Sequence, residues 1–555
     1  MKRRVKISGS QSNSFTLSGL AAGLTVLLTT SCGGGPEVAA ADAQIAKLLP
    51  DSTVAVMRIA SLDQLNEHKR TITEDLGEAD DGLGARDALA MAGLPGDPRL
   101  IDSNLPIVMA VTSKRATPPT VTAIVPTTNT EAFVKSLSDM GIVGTVDNNY
   151  VAVPVFGQYK RAETAPTIMA NLKPGTLSIH ADVEALAKTY KVMINSGIEI
   201  FEQQITAFME MENPNLDGEV MAQIYGSMGR AISESAKTVG LSVNYKNGKL
   251  AVDVDIDALP GSAMAGWSSP AIDLSPLAVG MTGKGSIETV FQMNMEKIMP
   301  RFNDMIEAVA DVYPEDFKVV IDALMSSYEA IYEQIESGFV MEGDLFGEDG
   351  VRMTTHMMPK DPAKYVDLIL DMLKSDPMKT IGLTVAAPQT STDGDTKICD
   401  INIAIDSKKL MAVAGPEGAQ TEQTSQAFKA MFADGFNIRI AQRGERVVMT
   451  FGKGRETAAS TTLDADQGTW SPAMEAAMER LDGCNPMFAQ RTDMARMMSG
   501  VFATMAKSGM RIPPIPKNAS ANMLIYGGIN GDAWRGGMQF DIAGLAELFE
   551  QLIPR

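Results

Sequence analysis

Few residues of this chain are of the types that do chemistry, and their spacing decides which chemistry is open to them. Histidine occurs three times, at His68, His180 and His356. None stands in an HExxH helix or beside a CxxC, and His180 and His356 fall inside alternating strand patterns, so structural roles are expected. The run DVDID, Asp253 to Asp257, sets three carboxylates two apart like the start of a calcium loop. Its sixth position is Ala258 where such a loop needs Gly, and its twelfth is Met264 where it needs a bidentate Glu. A strand with Val254 and Ile256 on one face and the acids on the other fits better. DGD at Asp393 to Asp395 and DAD at Asp464 to Asp466 read as turns. These spacings predict no metal ion and no cofactor.

GMTGKGS, Gly280 to Ser286, places Lys284 among glycines as a phosphate loop does. A P-loop needs four residues between its first Gly and Gly-Lys-Ser/Thr, and here Gly285 separates the Lys from the Ser. The expectation is a strand end followed by a helix capped at Ser286. The 37 methionines are the compositional oddity. Met494, Met497, Met498, Met505 and Met510 cluster, as do Met209, Met211 and Met221. Thioethers so spaced can hold Cu(I), line a pliable pocket for an apolar ligand or fill a core, and core filling is the expected use. No GxSxG elbow or dinucleotide fingerprint occurs, so no catalytic residue is assigned and an enzyme, such as a hydrolase with scattered residues, is the weaker expectation.

The elements that must position these residues alternate between strand and helix. LLPDSTVAVMRIASLDQL predicts a strand through Val54, Val56 and Ile59 and a helix capped by Ser61. LKPGTLSIHADVEAL repeats the idea with Leu177, Ile179 and a cap at Asp182. TAIVPTTNTEAFVKSL and THMMPKDPAKYVDLIL share a strand, a proline stop at Pro126 or Pro359, and a helix bearing Phe133 or Tyr365. Each follows another strand, which makes the unit ββα. LSVNYKNGKLAVDVDID carries a two-residue hairpin signal at Asn247-Gly248. Long helices are expected over 182–212, 218–238, 286–312, 314–337 and 491–508. The fold class is α+β, with duplicated antiparallel sheets packed with long helices. An N-terminal domain at 48–260 and a C-terminal one at 277–555, a divergent repeat of the first, flank the Gly, Pro and Ser-rich stretch Asp257 to Pro276.

The first residues set the address. MKRRVKISGS carries Lys2, Arg3, Arg4 and Lys6 and no acid, and the apolar run from Phe15 to Leu28 is too short for the ~20 residues of a spanning helix. It ends in Leu28, Thr29, Thr30, Ser31 and Cys32, which resembles the lipobox of bacterial lipoproteins. The resemblance implies a signal peptide over 1–31, a diacylglyceryl group on the Cys32 thiol, and a mature protein anchored to a membrane of the cell envelope, on a periplasmic or outer-membrane face. The alternative is an ordinary secretory signal with a chance Cys. Residues 32–47 read as a flexible tether. The opening LPDSTVAVMRI after a lipobox also looks like large exported lipoproteins of environmental bacteria, and that resemblance implies no particular activity.

Composition narrows the partners. The formal net charge is −20, and it becomes −24 without the four cations of the leader. Nucleic acid is excluded as a partner, because phosphate recognition needs Lys and Arg. A non-catalytic binding or structural role, toward an envelope protein or polymer, is the leading expectation, with carriage of an apolar ligand in a Met-lined pocket as the alternative. Outside Cys32 only Cys399 and Cys484 remain, and they either pair or stay as buried thiols.

Overall fold

Period-two alternation dominates the sequence, and nineteen strands carry it among the residues described. Of the 555 residues, the computed structural model describes 36–552 apart from 76–81, 114–118, 213–217, 263, 267–274, 293–326, 336–337, 348–349, 381, 407–408, 410–435, 453, 482, 508–514 and 516–518. The leader, Cys32 and most of the helices expected over 286–312 and 314–337 lie outside the described residues.

The first half runs α1 (Pro36–Leu48), β1 (Thr53–Ile59), α2 (Leu62–Asp75), α3 (Ala85–Met91), β2 (Ile107–Thr112), β3 (Val121–Pro126), α4 (Thr130–Asp139), β4 (Thr145–Asp147) and β5 (Tyr150–Phe156). It continues with β6 (Leu177–Asp182), α5 (Val183–Glu212), α6 (Gly218–Ser235), β7 (Ala236–Lys246) and β8 (Lys249–Ala258). The second half runs α7 (Ser275–Ala278), β9 (Ile287–Phe291), β10 (Phe339–Gly347), β11 (Gly350–Met357), α8 (Pro362–Lys374), α9 (Asp376–Thr380), β12 (Leu383–Val385), β13 (Gln389–Asp393) and β14 (Thr396–Ile405). Then come β15 (Phe436–Arg443), β16 (Arg446–Phe451), α10 (Arg455–Asp464), α11 (Pro472–Arg480), β17 (Asn485–Asp493), α12 (Met494–Lys507), β18 (Asn522–Asn530), β19 (Ala533–Asp541) and α13 (Ile542–Leu552).

Every ladder is antiparallel, and the spatial order repeats. The first half reads β4-β5-β3-β2-β1-β6-β7-β8. The second reads β15-β16-β11-β10-β9-β17-β18-β19, with β14 added outside β15 and both β12 and β13 on β14. The duplicated α+β architecture expected from the hairpins is therefore present. Its two ββα units are the predicted ones: Asn129 caps α4 and Asp361 caps α8, each through its side-chain oxygen. Phe133 and Tyr365, the aromatics matched by sequence, are buried in the cores that these helices cover.

The halves meet strand to strand. β8 pairs with β19 from Lys249↔Asp541 to Asp257↔Ala533, so the midpoint of the ladder is Asp253↔Gly537. The Asn247-Gly248 turn, with φ of +54° and +74°, and the turn at Gly531 point away from one another along this seam. Across its centre the Tyr526 hydroxyl donates to Asp253, and Arg480 donates to the same carboxylate at 3.1 Å. The Arg480 guanidinium lies 5.7 Å from the centroid of the Tyr526 ring. Gly537 makes room for that ring, since a Cβ there would stand 2.8 Å from the Tyr526 oxygen and 2.3 Å from the carbonyl oxygen of Val252.

Several expectations need correction. Residues 32–47 are not a free tether throughout: Pro36–Leu48 forms α1, with Ile45 and Leu48 fully buried against the sheet and Asp42 3.3 Å from Arg58. Small residues looked like linker, yet Ala is the best helix former, and Ile45 and Leu48 share one face. Ser286 caps no helix; it leads straight into β9. Arg491 to Asp493 belong to β17, and the helix starts only at Met494, because Asp493 is its cap and accepts from the Arg496 N–H at 3.1 Å. The helix expected over 218–238 stops at Ser235, where β7 begins.

Cys399 and Cys484 are free thiols. Cys399 lies on β14 in the core under α8, whereas Cys484 precedes β17 in the core under α11. Between their strands stand β15, β16, β11, β10 and β9. At ~4.8 Å per strand that separation far exceeds disulfide reach. Thiol titration of the unreduced, denatured mature chain is expected to return both thiols.

Candidate functional site

A cluster of buried ionisable groups sits on three neighbouring strands of the second half. The alternation of β9, β10 and β17 puts Glu288, Glu342 and Arg491 directly opposite one another, with Glu288 in the middle. On the same face, one pair along, Val290, Val340 and Ala489 form the core beneath α7 and α11. Glu288 is 0% exposed and Glu342 and Arg491 are also buried. Two carboxylates directly opposite each other repel, so the pair stands only because each is separately neutralised.

The partner of Glu342 is the glycine-rich loop. Its carboxylate accepts from the Thr282 N–H at 2.7 Å, the Thr282 hydroxyl at 2.7 Å, the Lys284 N–H at 2.7 Å and the Gly285 N–H at 2.8 Å. Successive backbone N–H groups so turned make an anion-binding nest. The likeness of GMTGKGS to a phosphate loop thus has a physical basis, but the anion it holds is a side chain of the protein itself. Gly283, at φ +67°, provides the bend, and a Cβ on Gly285 would meet the Gly343 N at 2.7 Å and the Glu342 Cγ at 2.8 Å.

Glu288 accepts from the Ser471 N–H at 2.9 Å and from the Ser471 hydroxyl, and lies 3.5 Å from Arg491. Burial nonetheless pushes its carboxyl above the usual range. Arg491 spreads its donors over Asn522 Oδ1 at 2.8 Å, the carbonyl of Gly285 at 2.7 Å and Asp493 at 3.0 Å. Asp344 accepts from the Ser286 N–H at 3.0 Å and pairs with Arg496 at 2.9 Å and Arg352 at 3.5 Å. Arg496 also donates to the carbonyl of Lys284. The network is closed: every carboxylate in it has partners from the same chain. Ser471 beside Glu288 has the makings of an activated hydroxyl, but both are buried and Ser471 is also the cap of α11.

None of Glu288, Glu342, Asp344, Arg491 and Asp493 was singled out by motif. The signal that could have found them is phase: acids and an arginine recur at the positions of β9, β10 and β17 that share a face with Val290, Val340 and Ala489.

The residues that sequence did single out are dispersed. His356 is fully buried; its Nδ1 lies 2.8 Å from the carbonyl of Leu277 and its Nε2 3.2 Å from Arg446 Nε. Since Arg446 can only donate, Nε2 accepts and Nδ1 carries the proton. Burial first, and the Arg446 charge second, hold this imidazole down at about 4. His180 contacts Asn171 at 3.4 Å, and His68 meets the Tyr245 ring edge-on at 5.9 Å; burial lowers both. Asp253, Asp255 and Asp257 lie on a strand, as expected. Asp255 pairs with Lys173 at 2.9 Å and Arg535 at 3.3 Å, and Asp257 accepts from Thr238 at 2.7 Å. Among the described residues, no group of three or more His, Cys, Asp or Glu is placed to hold a metal ion.

Met494 and Met498 pack in an apolar cluster with Ala495, Ile515, Ala521 and Leu548. The side chains of Met209, Met211, Met221, Met505 and Met510 lie outside those described. A small apolar hollow over β1 and β2 is lined by Met57 and Met109 together with Ile59, Leu89, Leu94 and Val155. No helix among the described residues is long and apolar enough to cross a membrane.

No family model and no curated protein matches the sequence. Solved structures of TP0453 in crystal forms III, I and IV align with 50%, 51% and 52% of this chain and 99% of theirs, at 10%, 9% and 9% identity and TM-scores of 0.20, 0.21 and 0.22. Likeness at that level transfers neither a fold nor a function to this chain.

Proposed function

We propose that this chain is an exported, lipid-anchored protein of the bacterial cell envelope, held through Cys32, whose body has a non-catalytic binding or structural role. The observation that supports this reading is the closed network around Glu288 and Glu342: the charged groups best placed to make a site are spent on holding the sheet, the loop 280–286 and α12 together. The acidic body, at −24 without the leader, fits an envelope protein or polymer as partner and opposes nucleic acid. Two or three acyl chains, at ~0.8 kcal/mol per buried CH₂, make such anchoring effectively permanent. Residues 48–260 and 277–555 are read as two divergent copies of one unit, a reading supported by their matched strand orders.

The test is the intact mass of the protein extracted from its native membranes. A chain beginning at Cys32 and carrying a diacylglyceryl mass is expected; a retained leader, or a bare thiol, would sink the proposal. The hollow over β1 and β2 does not favour carriage of an apolar ligand, since its cavity of about 30 Å³ has room for little more than a water molecule.

A further inference from the structure

We propose that β13 is a docking edge for a second copy of this chain, where it pairs antiparallel with the β13 of that copy about a two-fold axis at Ser391. β13 pairs with β14 alone among the described residues, and all five of its residues are exposed. The turn at Gly394 and Asp395 is closed by the pair Asp393↔Thr396. Alternation from that hydrogen-bonded pair turns the backbone groups of Asp393, Ser391 and Gln389 toward β14, and those of Thr392 and Thr390 outward. A row of N–H and C=O groups therefore lines the free edge. Natural edges are blunted by shortness, by lysine or proline, by a bulge or by cover. β4, the edge at the other end of the order, has three residues; β13 has five, with Pro388 only before it and no shift in its register.

The strand is complementary to itself. Gln389-Thr390-Ser391-Thr392-Asp393 is close to a palindrome, so a copy turned end for end sets Thr390 opposite Thr392, Ser391 opposite its own equivalent, and Gln389 opposite Asp393. Both threonine pairs fall on the outward backbone groups, where each makes the two bonds of a hydrogen-bonded pair, and cross-strand threonines favour one another. No like charges meet. The acids that flank the strand are answered within the chain, Asp395 by Arg443 at 3.2 Å and Asp400 by Arg439 at 2.6 Å, so the net charge of −20 does not concentrate at this edge. The chain already joins its halves by the same device. β8 and β19, the last strands of the two matched orders, pair antiparallel about Asp253↔Gly537, each the fifth residue of its strand, which makes the seam a local two-fold of like edges.

The inference does not depend on the lipid at Cys32, and its test uses the full chain with Cys32→Ala and Cys484→Ala, in which Cys399 stays buried. Residues opposite one another without hydrogen bonds between them stand about 4.5 Å apart at Cα, within disulfide reach. Under mild oxidation Ser391→Cys is expected to form an intermolecular disulfide about tenfold faster than Ser196→Cys on the exposed side of α5, because pairing raises the local thiol concentration. Gln389→Cys and Asp393→Cys proteins are expected to link to each other when mixed, severalfold faster than either links to itself. Thr390→Pro removes an outward N–H that β14 does not use, and is expected to leave the circular dichroism unchanged while abolishing the Ser391→Cys dimer. Equal rates at 391 and 196 overturn the proposal, as does a dimer that survives Thr390→Pro. Linking at 391 without the preference of 389 for 393 overturns it too, and that mixture decides alone if the proline variant unfolds.

Discussion

Arg491→Met is expected to lower the stability of the fold by about 3–5 kcal/mol, the usual cost of leaving a buried charge without its partner. Among the described residues the side chain is the only positive charge paired with Glu288, a residue with no exposed surface, and it also answers Asp493 and two neutral acceptors on the loop 280–286 and β18. Methionine keeps the aliphatic stem and removes every donor. Denaturant unfolding with an unchanged slope isolates the loss. Adding Glu288→Gln is expected to restore part of it, because the stranded carboxylate is then gone while its bonds to Ser471 have a neutral substitute. A cost below about 1 kcal/mol, in the range of an exposed pair, would show that water reaches the network and that it is not the closed structure described here.

The second large effect is on acid stability. In the unfolded chain His356 titrates near 6.5, whereas in the fold it is held at about 4. Between those values the unfolded chain takes up a proton that the folded protein refuses. Stability from this residue is therefore complete above pH 6.5 and falls as the pH drops toward 4, by about 3 kcal/mol at 1.36 kcal/mol per unit. Below 4 both states are protonated and the loss levels off. The geometry explains the refusal: a proton on Nε2 would face the Arg446 guanidinium at 3.2 Å and break the bond that ties β16 to β11. His356→Gln keeps an acceptor and cannot titrate. The difference in unfolding free energy between the two proteins, measured from pH 7 to 4, is expected to swing by that amount in favour of the variant. A difference independent of pH would mean that His356 is solvated or already charged.

Arg491 stands in no motif and His356 was noticed for its residue type alone, with its partner Arg446 unseen, which bears on how much of this protein its sequence discloses. Local chemistry was legible. Asn247-Gly248 demanded left-handed backbone and made a hairpin, and Asp182 and Ser61 capped helices through the bonds their types predict. The ββα units with Phe133 and Tyr365 were legible for the same reason, since a proline stop, a cap and an apolar stripe all act within a few residues. Helix starts failed where a strand runs directly into a helix: Thr492 and Asp493 fit either period, and only pairing with Met523 and Asn522 assigns them to β17.

What the sequence determined by itself, then, is everything set by near neighbours: the α+β class, the ββα repeats, the hairpins, and a Leu28 to Cys32 segment that resembles a lipobox. The tertiary structure alone decided which distant groups share a face. It placed Glu342 in the nest of a loop some sixty residues away, set Cys399 and Cys484 in separate cores, and joined the two halves at Asp253 and Gly537. The physical reason is that strand alternation fixes which side a residue faces, but only ladder order and register, settled by the burial of whole faces, fix what it meets there.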